Sequence, residues 1–186
     1  MKNIIILLTY LLFLGCQNAD IDPYTNGIVT EALYNGKSWE NTKLRLSYET
    51  HTCSKSLGLL ITLYNAQGFE RETFYITKIP LAVGSFSIKK YNYNNIGCLP
   101  DSPDVYATYG TSQDDGDVGK DYYDILENSK EVNKLVISKY NGKSRYISGE
   151  FSATFLLKRK PDGTKYYFNS VDTIRITKAR FEASGF

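Results

Sequence analysis

The sequence predicts an all-β domain: an antiparallel β-sandwich of about nine or ten short strands, with a closed or partly open β-barrel as the alternative. Three observations predict it. Apolar residues alternate with polar ones along much of the chain, most clearly in Tyr146–Lys158. There Ile147, Phe151, Ala153, Phe155 and Leu157 share one face against Ser148, Glu150, Ser152 and Thr154, the period-two signature of a half-buried strand. Asn-Gly, the strongest short hairpin signal because both positions accept positive φ, stands in Tyr34-Asn35-Gly36-Lys37-Ser38 and again in Tyr140-Asn141-Gly142-Lys143-Ser144. No segment carries an apolar stripe of helical period, and residues 121–132 are the one stretch where a short helix would fit.

The strands follow in order. Residues 28–34 form the first. Thr42–Thr50 turns Leu44, Leu46 and Tyr48 inward against Arg45, Ser47 and Glu49, and Leu57–Tyr64 turns Leu57, Leu59, Ile61 and Leu63 inward, with Leu60 apolar on the other face. Further strands are expected at 69–77, 85–91, 105–110, 121–126, 132–140 and 171–183. Pro161-Asp162-Gly163 predicts a turn between 151–159 and 165–169. In the last strand the apolar phase jumps: Ile174 and Ile176 are even, whereas Ala179, Phe181 and Ala183 are odd. A bulge near Thr177–Lys178 restores the core face.

A chain of 186 residues suits one domain. Its 16 Tyr and 9 Phe against a single Trp suit half-exposed sheet faces, where a ring packs and a hydroxyl stays wet. The net charge is +2 with basic residues scattered, so the concentrated basic face that nucleic acid requires is missing from the sequence.

The first residues stand apart. Lys2 precedes an apolar run from Ile4 to Leu14, too short to span a bilayer and suited to the core of a signal peptide. It ends in Leu12-Phe13-Leu14-Gly15-Cys16, which resembles a bacterial lipoprotein signal, with Cys16 diacylated and becoming the new N-terminus. Phe13 and Leu14 stand where that motif has Leu and a small residue, and a plain secretory signal is the alternative. The expected organisation is a signal peptide over 1–15, a lipid-anchored polar tether over 16–26 and a single β domain over 27–186. Two acyl chains anchor stably without a transmembrane helix. Asp20 and Asp22 resemble the acidic stretch that sends some bacteroidete lipoproteins to the cell surface, so that face of the outer membrane is favoured over the periplasmic one.

An exported chain with Cys53 and Cys98 beyond Cys16 most simply forms one disulfide. Closing that long loop contributes roughly 4 kcal/mol by chain entropy. Three strands between the two cysteines place them at opposite ends of a simple up-and-down sheet, unless Tyr91–Cys98 climbs back. The alternative role for Cys53 is a nucleophile activated by His51, since residues two apart on a strand share a face.

The order of motifs adds a resemblance. A strand over Ile28–Tyr34 leads into Asn35-Gly36-Lys37-Ser38-Trp39, a late strand enters through Ile147-Ser148-Gly149-Glu150-Phe151-Ser152-Ala153, and the last runs Ile174-Arg175-Ile176-Thr177-Lys178-Ala179-Arg180-Phe181. This order resembles a family of β-rich bacteroidete outer-membrane lipoproteins with no assigned activity. The resemblance implies an outer-membrane address and a β fold, and brings no functional residues.

Chemistry is sparse. A single histidine excludes multi-histidine metal sites. Asp114-Asp115-Gly116-Asp117-Val118-Gly119-Lys120-Asp121 offers oxygen ligands on a glycine-bent loop, making Asp115, Asp117 and Asp121 the calcium candidates, but Gly119 and Leu126 stand where an EF-hand has ligands. A solvated acidic turn accounts for the run better. Asn92–Gly119 is long, polar and carries Tyr93, Tyr106 and Tyr109, a composition that protein and sugar surfaces favour. The expected function is therefore a non-enzymatic cell-envelope lipoprotein without cofactor, binding an outer-membrane protein complex or a glycan through that loop. The alternative is a hydrolase of envelope or dietary polymers that uses paired carboxylates.

Overall fold

The computed structural model describes residues 25–40, 42–51, 54–91, 105–114, 116, 118–127, 130–165, 167 and 169–186. Cys16, Cys53, Cys98, Tyr93, Asp115 and Asp117 lie outside them, as does the side chain of His51. The described residues form twelve strands and no helix: β1 (Gly27–Thr30), β2 (Leu33–Tyr34), β3 (Lys37–Ser38), β4 (Thr42–His51), β5 (Ser54–Tyr64), β6 (Glu70–Ile79), β7 (Gly84–Lys90), β8 (Val105–Gln113), β9 (Val118–Ile125), β10 (Lys134–Asn141), β11 (Tyr146–Leu157) and β12 (Thr173–Ser184).

Nine of them close a barrel, the architecture placed second to the sandwich on sequence grounds. The ring runs β1-β4-β5-β6-β8-β7-β10-β11-β12 and returns to β1 through the pairs Gly27↔Ala183 and Thr30↔Arg180. All neighbours are antiparallel except β7 and β8, which pair in parallel from Ile88↔Val105 to Lys90↔Ala107. Closure therefore depends on a contact between the first and last strands and on one parallel pair, neither of which leaves a periodic trace in sequence.

Between β8 and β11 the wall divides. The first half of β8 pairs with β7, and its second half pairs with β9 from Thr108↔Asp124 to Gln113↔Val118. Likewise β11 pairs with β10 up to Ser152 and with β9 from Phe155 to Leu157. Asn133 sits in the fork. Its backbone carbonyl accepts from Ile88 N at 3.0 Å, and its side-chain amide donates to the Leu126 carbonyl at 2.9 Å.

The interior is aromatic. Phe74 stacks on Phe151 at 4.9 Å between ring centres and meets Phe155 edge-on at 5.6 Å, while Tyr109 touches both Phe155 and Tyr123 at 5.6 Å. Leu44, Leu46, Leu57, Leu59, Ile61 and Ile76 complete the fill. The outer side carries Arg45, Glu49, Glu150, Arg175, Arg180 and Glu182, a distribution opposite to that of a membrane-spanning barrel, whose outward side is apolar. No helix among the described residues is long and apolar enough to cross a membrane.

The local chemistry explains the joints. Expected strand 28–34 breaks into β1 and β2 because Glu31 adopts φ 56°. The β2–β3 hairpin closes on Asn35 (φ 48°) and Gly36 (φ 80°), the two positive angles of a type I′ turn. Its sequence twin behaves differently. Asn141 stays in the ladder opposite Tyr146, its Oδ1 accepts from Lys143 N and Ser144 N at 3.0 and 3.1 Å, and the positive φ falls on Arg145. The same pentamer thus starts a four-residue loop. The bulge in β12 lies where the phase jump puts it: Phe151 pairs Ala179 and Ala153 pairs Ile176, leaving Thr177 and Lys178 opposite Ser152, with Lys178 at φ 56°. The strand expected at 165–169 does not form at its described residues, where a turn closed by Gly163 N on the Lys160 carbonyl leads into irregular chain. Residues 121–125 are strand rather than helix.

Asn26 fastens the entry to the barrel. Its backbone N–H donates to Leu44 O at 3.2 Å and its carbonyl accepts from Ser184 N at 2.9 Å. Its side chain donates to Leu46 O at 2.7 Å and accepts from Leu46 N at 2.8 Å.

Candidate functional site

Two of the three expected loop tyrosines belong to the wall, which corrects the binding-loop assignment. Val105–Gln113 is strand β8, so its residues alternate across the barrel wall. Tyr109 points inward and is 1% exposed; Tyr106 points outward but is also buried, its ring edge-on to Tyr91 at 6.1 Å with Lys78 Nζ 5.3 Å from its centre. Neither offers a surface to a partner. The loop reading misplaced Tyr106 and Tyr109 because tyrosine in a polar stretch was weighed as a surface for partners, whereas in a pleated wall a tyrosine packs.

The acidic run is likewise redistributed. Asp114 (φ 54°) and Gly116 (φ 99°) make the β8–β9 turn, with Gly116 N donating to Gln113 O at 2.9 Å. Asp121 has left the turn for β9 and faces inward, 2% exposed, its Oδ2 accepting from Ser170 Oγ at 2.6 Å. A calcium site combining it with the turn acids is therefore corrected to an internal hydrogen bond. Among the described residues no three His, Cys, Asp or Glu side chains converge as metal ligands.

Two acids do share a level inside the barrel. Glu72 pairs with Thr111, and Thr111 pairs with Asp121, so the carboxylates flank β8 about two strand spacings, ~10 Å, apart. That end of the barrel is closed by Trp39, which follows β3, and by Ser170 from the segment after β11. Burial raises the Glu72 pKa against the lowering influence of Tyr109 and Trp39, and pushes Tyr34 up to about 12. Trp39 and Tyr109 stand beside Glu72, and Trp39 Nε1, Glu72 Oε2, the Tyr109 hydroxyl and Asp121 Oδ1 are all buried without a hydrogen-bond partner of good geometry. The pair thus faces packed side chains, not a cleft that a polymer enters.

A third carboxylate, Glu49, is saturated on the outer side. It accepts from the Tyr75 hydroxyl, from Thr77 Oγ1 at 2.8 and 2.9 Å, from Ser56 Oγ at 3.2 Å and from Lys78 N at 3.0 Å. Lys78 adopts φ 59° to aim that N–H. This network stitches β4, β5 and β6 together and raises Tyr75 to about 12, through burial first and the carboxylate second.

The open concavity lies elsewhere, on the outer side of β8 and β9. It holds about 650 Å3, and its lining includes Thr73, Thr108, Gly110, Lys120, Tyr122, Asp124, Lys158 and Tyr167. Two glycines shape it. A Cβ at Gly119 would meet the Tyr122 hydroxyl, so the absence of a side chain lets that ring lie along the strand, where it is 62% exposed. Gly110 pairs directly with Tyr122, and a Cβ there would meet nothing nearer than the Asp121 carbonyl at 3.7 Å, which leaves the floor open. Lys158 N donates to Tyr122 O at 2.9 Å, fastening the segment that leads to Tyr167, whose ring centre is 5.7 Å from Lys120 Nζ. In the sequence Gly110 ends an expected strand and Gly119 falls in the expected loop, so neither marked the site, which strand register creates. No protein-family model matches this chain, nor does any curated protein or solved structure in the comparisons made.

Proposed function

We propose that the chain is an exported lipoprotein, anchored through Cys16 to the outer membrane, whose barrel acts as a non-enzymatic binding module for a glycan. The observation that carries the binding half is the groove over Gly110, open-floored and flanked by the exposed ring of Tyr122. Sugar rings have apolar faces and polar edges, so a flat aromatic beside threonine, lysine and aspartate suits both. A barrel with a filled interior leaves its outer surface as the place for recognition. The apolar leader that ends at Cys16 and the polar tether after it support the address, and the charged outer wall supports a domain held in water beside the membrane rather than within it.

The two halves are tested separately. Cys16→Ser abolishes incorporation of radiolabelled fatty acid and releases the protein from the membrane fraction; a variant that stays membrane-bound sinks the anchor. In oligosaccharide-binding measurements Tyr122→Ala weakens the ligand by about tenfold or more, the usual cost of removing an aromatic anchor, while melting as the parent does. Undiminished glycan binding by this variant would move the site away from the groove.

A further inference from the structure

We infer that the groove selects acidic saccharides, chains bearing uronate or sulfate groups, an inference that rests on the glycan reading above. The charge at the groove is one-sided. Lys120 and Lys158 are the two basic residues of its lining, and the one acid there, Asp124, is bound to Lys90 Nζ at 2.9 Å, so its charge is already balanced. Lys120 stands beside the Tyr167 ring, which holds the ammonium close to an aromatic surface without neutralising it. Lys158 is placed next to Tyr122 by its own backbone bond to Tyr122 O.

This arrangement fits the shape of an acidic sugar. A uronate carboxylate lies near the plane of its pyranose ring and projects from the rim. A ring stacked on Tyr122 over the Gly110 floor therefore directs its carboxylate sideways, where the lysines stand, rather than down into the wall. Charge-assisted hydrogen bonds at a partly desolvated margin are stronger than neutral ones, and phenol faces provide the sequence-tolerant stacking surface. The neutral methyl ester of the same sugar keeps the stacking and loses the charge, which gives a clean contrast.

The test uses the full mature lipoprotein in non-ionic detergent, titrated calorimetrically with tetragalacturonate, with its methyl ester, and with a sulfated galactose tetramer. The expected result is that the acidic members bind about tenfold or more tighter than the ester, a preference that fades as salt rises from about 0.05 M to about 0.5 M. Lys120→Ala and Lys158→Ala remove the preference while leaving the ester unaffected. Tyr122→Ala weakens every member, and so does Gly110→Val, which fills the floor at a position with room for a Cβ. Equal binding of acid and ester overturns the inference and leaves the glycan reading standing. Acid binding that survives both Tyr122→Ala and Gly110→Val shows a polyanion adhering to lysines and overturns it too. If no member binds, the inference and the glycan reading fall together.

Discussion

The side-chain carbonyl of Asn133 accepts the backbone N–H of Thr154 at 2.8 Å, bridging the point where β11 passes from its pairing with β10 to its pairing with β9. With the amide donated to Leu126 O and the backbone carbonyl taken by Ile88, one residue joins three strands at the fork of the wall. Asn133→Ala leaves a carbonyl and an N–H unpaired in a partly buried place, so a loss of about 2 kcal/mol is expected, or roughly 4–8 °C in melting temperature for a domain of this size. Denaturant and thermal unfolding read it directly. Asn133→Asp keeps the acceptor and loses the donor, and falls between the two. A variant as stable as the parent would mean that water replaces both bonds.

Lys178 carries the second prediction. Its φ of 56° is costly for a β-branched residue and costs glycine nothing. Lys178→Gly is expected to be neutral or mildly stabilising, and Lys178→Ile to lose about 1–3 kcal/mol. If Ile and Gly melt alike, the β12 bulge relaxes without strain.

Glu72 sets a slope in pH. Burial raises its folded pKa, so the folded chain holds a proton that the unfolded chain has already released. Its stabilising share is complete below the ordinary carboxylate range and is lost as pH climbs through the raised value. Glu72→Gln should therefore be the more stable form once the pH exceeds the raised value and should flatten the stability curve above the ordinary carboxylate range. Superimposable curves for the two proteins would show Glu72 to be solvated.

Redox state gives the fourth. The sequence raised a difficulty for a Cys53–Cys98 disulfide, since three strands separate the two. The sheet is not a simple up-and-down one, since β7 and β8 pair in parallel. The ladder from β5 through β6 to β8 puts Val105, where β8 begins, at the same end of the barrel as His51 and Ser54. Mass spectrometry without reductant is expected to find Cys53 joined to Cys98, with a lower melting temperature after reduction. Two thiols that alkylate readily would return Cys53 to its alternative beside His51.

Much of the wall was legible because each half-buried strand writes its own period. Leu44 and Leu46, or Phe151, Ala153 and Phe155, declare their face without any knowledge of their neighbours, and the switch of phase before Ala179 declared the bulge. The choice of barrel over sandwich was not legible, since it turns on Gly27 finding Ala183 and on Ile88 finding Val105, pairings between residues with nothing local in common. The groove was hidden for a related reason. Tyr122 is one tyrosine among 16, and what singles it out is the pairing with Gly110 and the bare backbone of Gly119, both consequences of register.

The four bonds of Asn26 have a mechanical meaning. Any tension applied to the chain upstream arrives at a residue that grips Leu44 and Leu46 on one side and Ser184 on the other, so the pull divides between the fourth strand and the last instead of peeling β1 alone. Rupture there would open the ring at its seam. Drawn by its N-terminus in a force spectrometer, the barrel should yield in one event at a force that Asn26→Gly lowers, since that variant leaves Leu46 N and O unpaired at the seam.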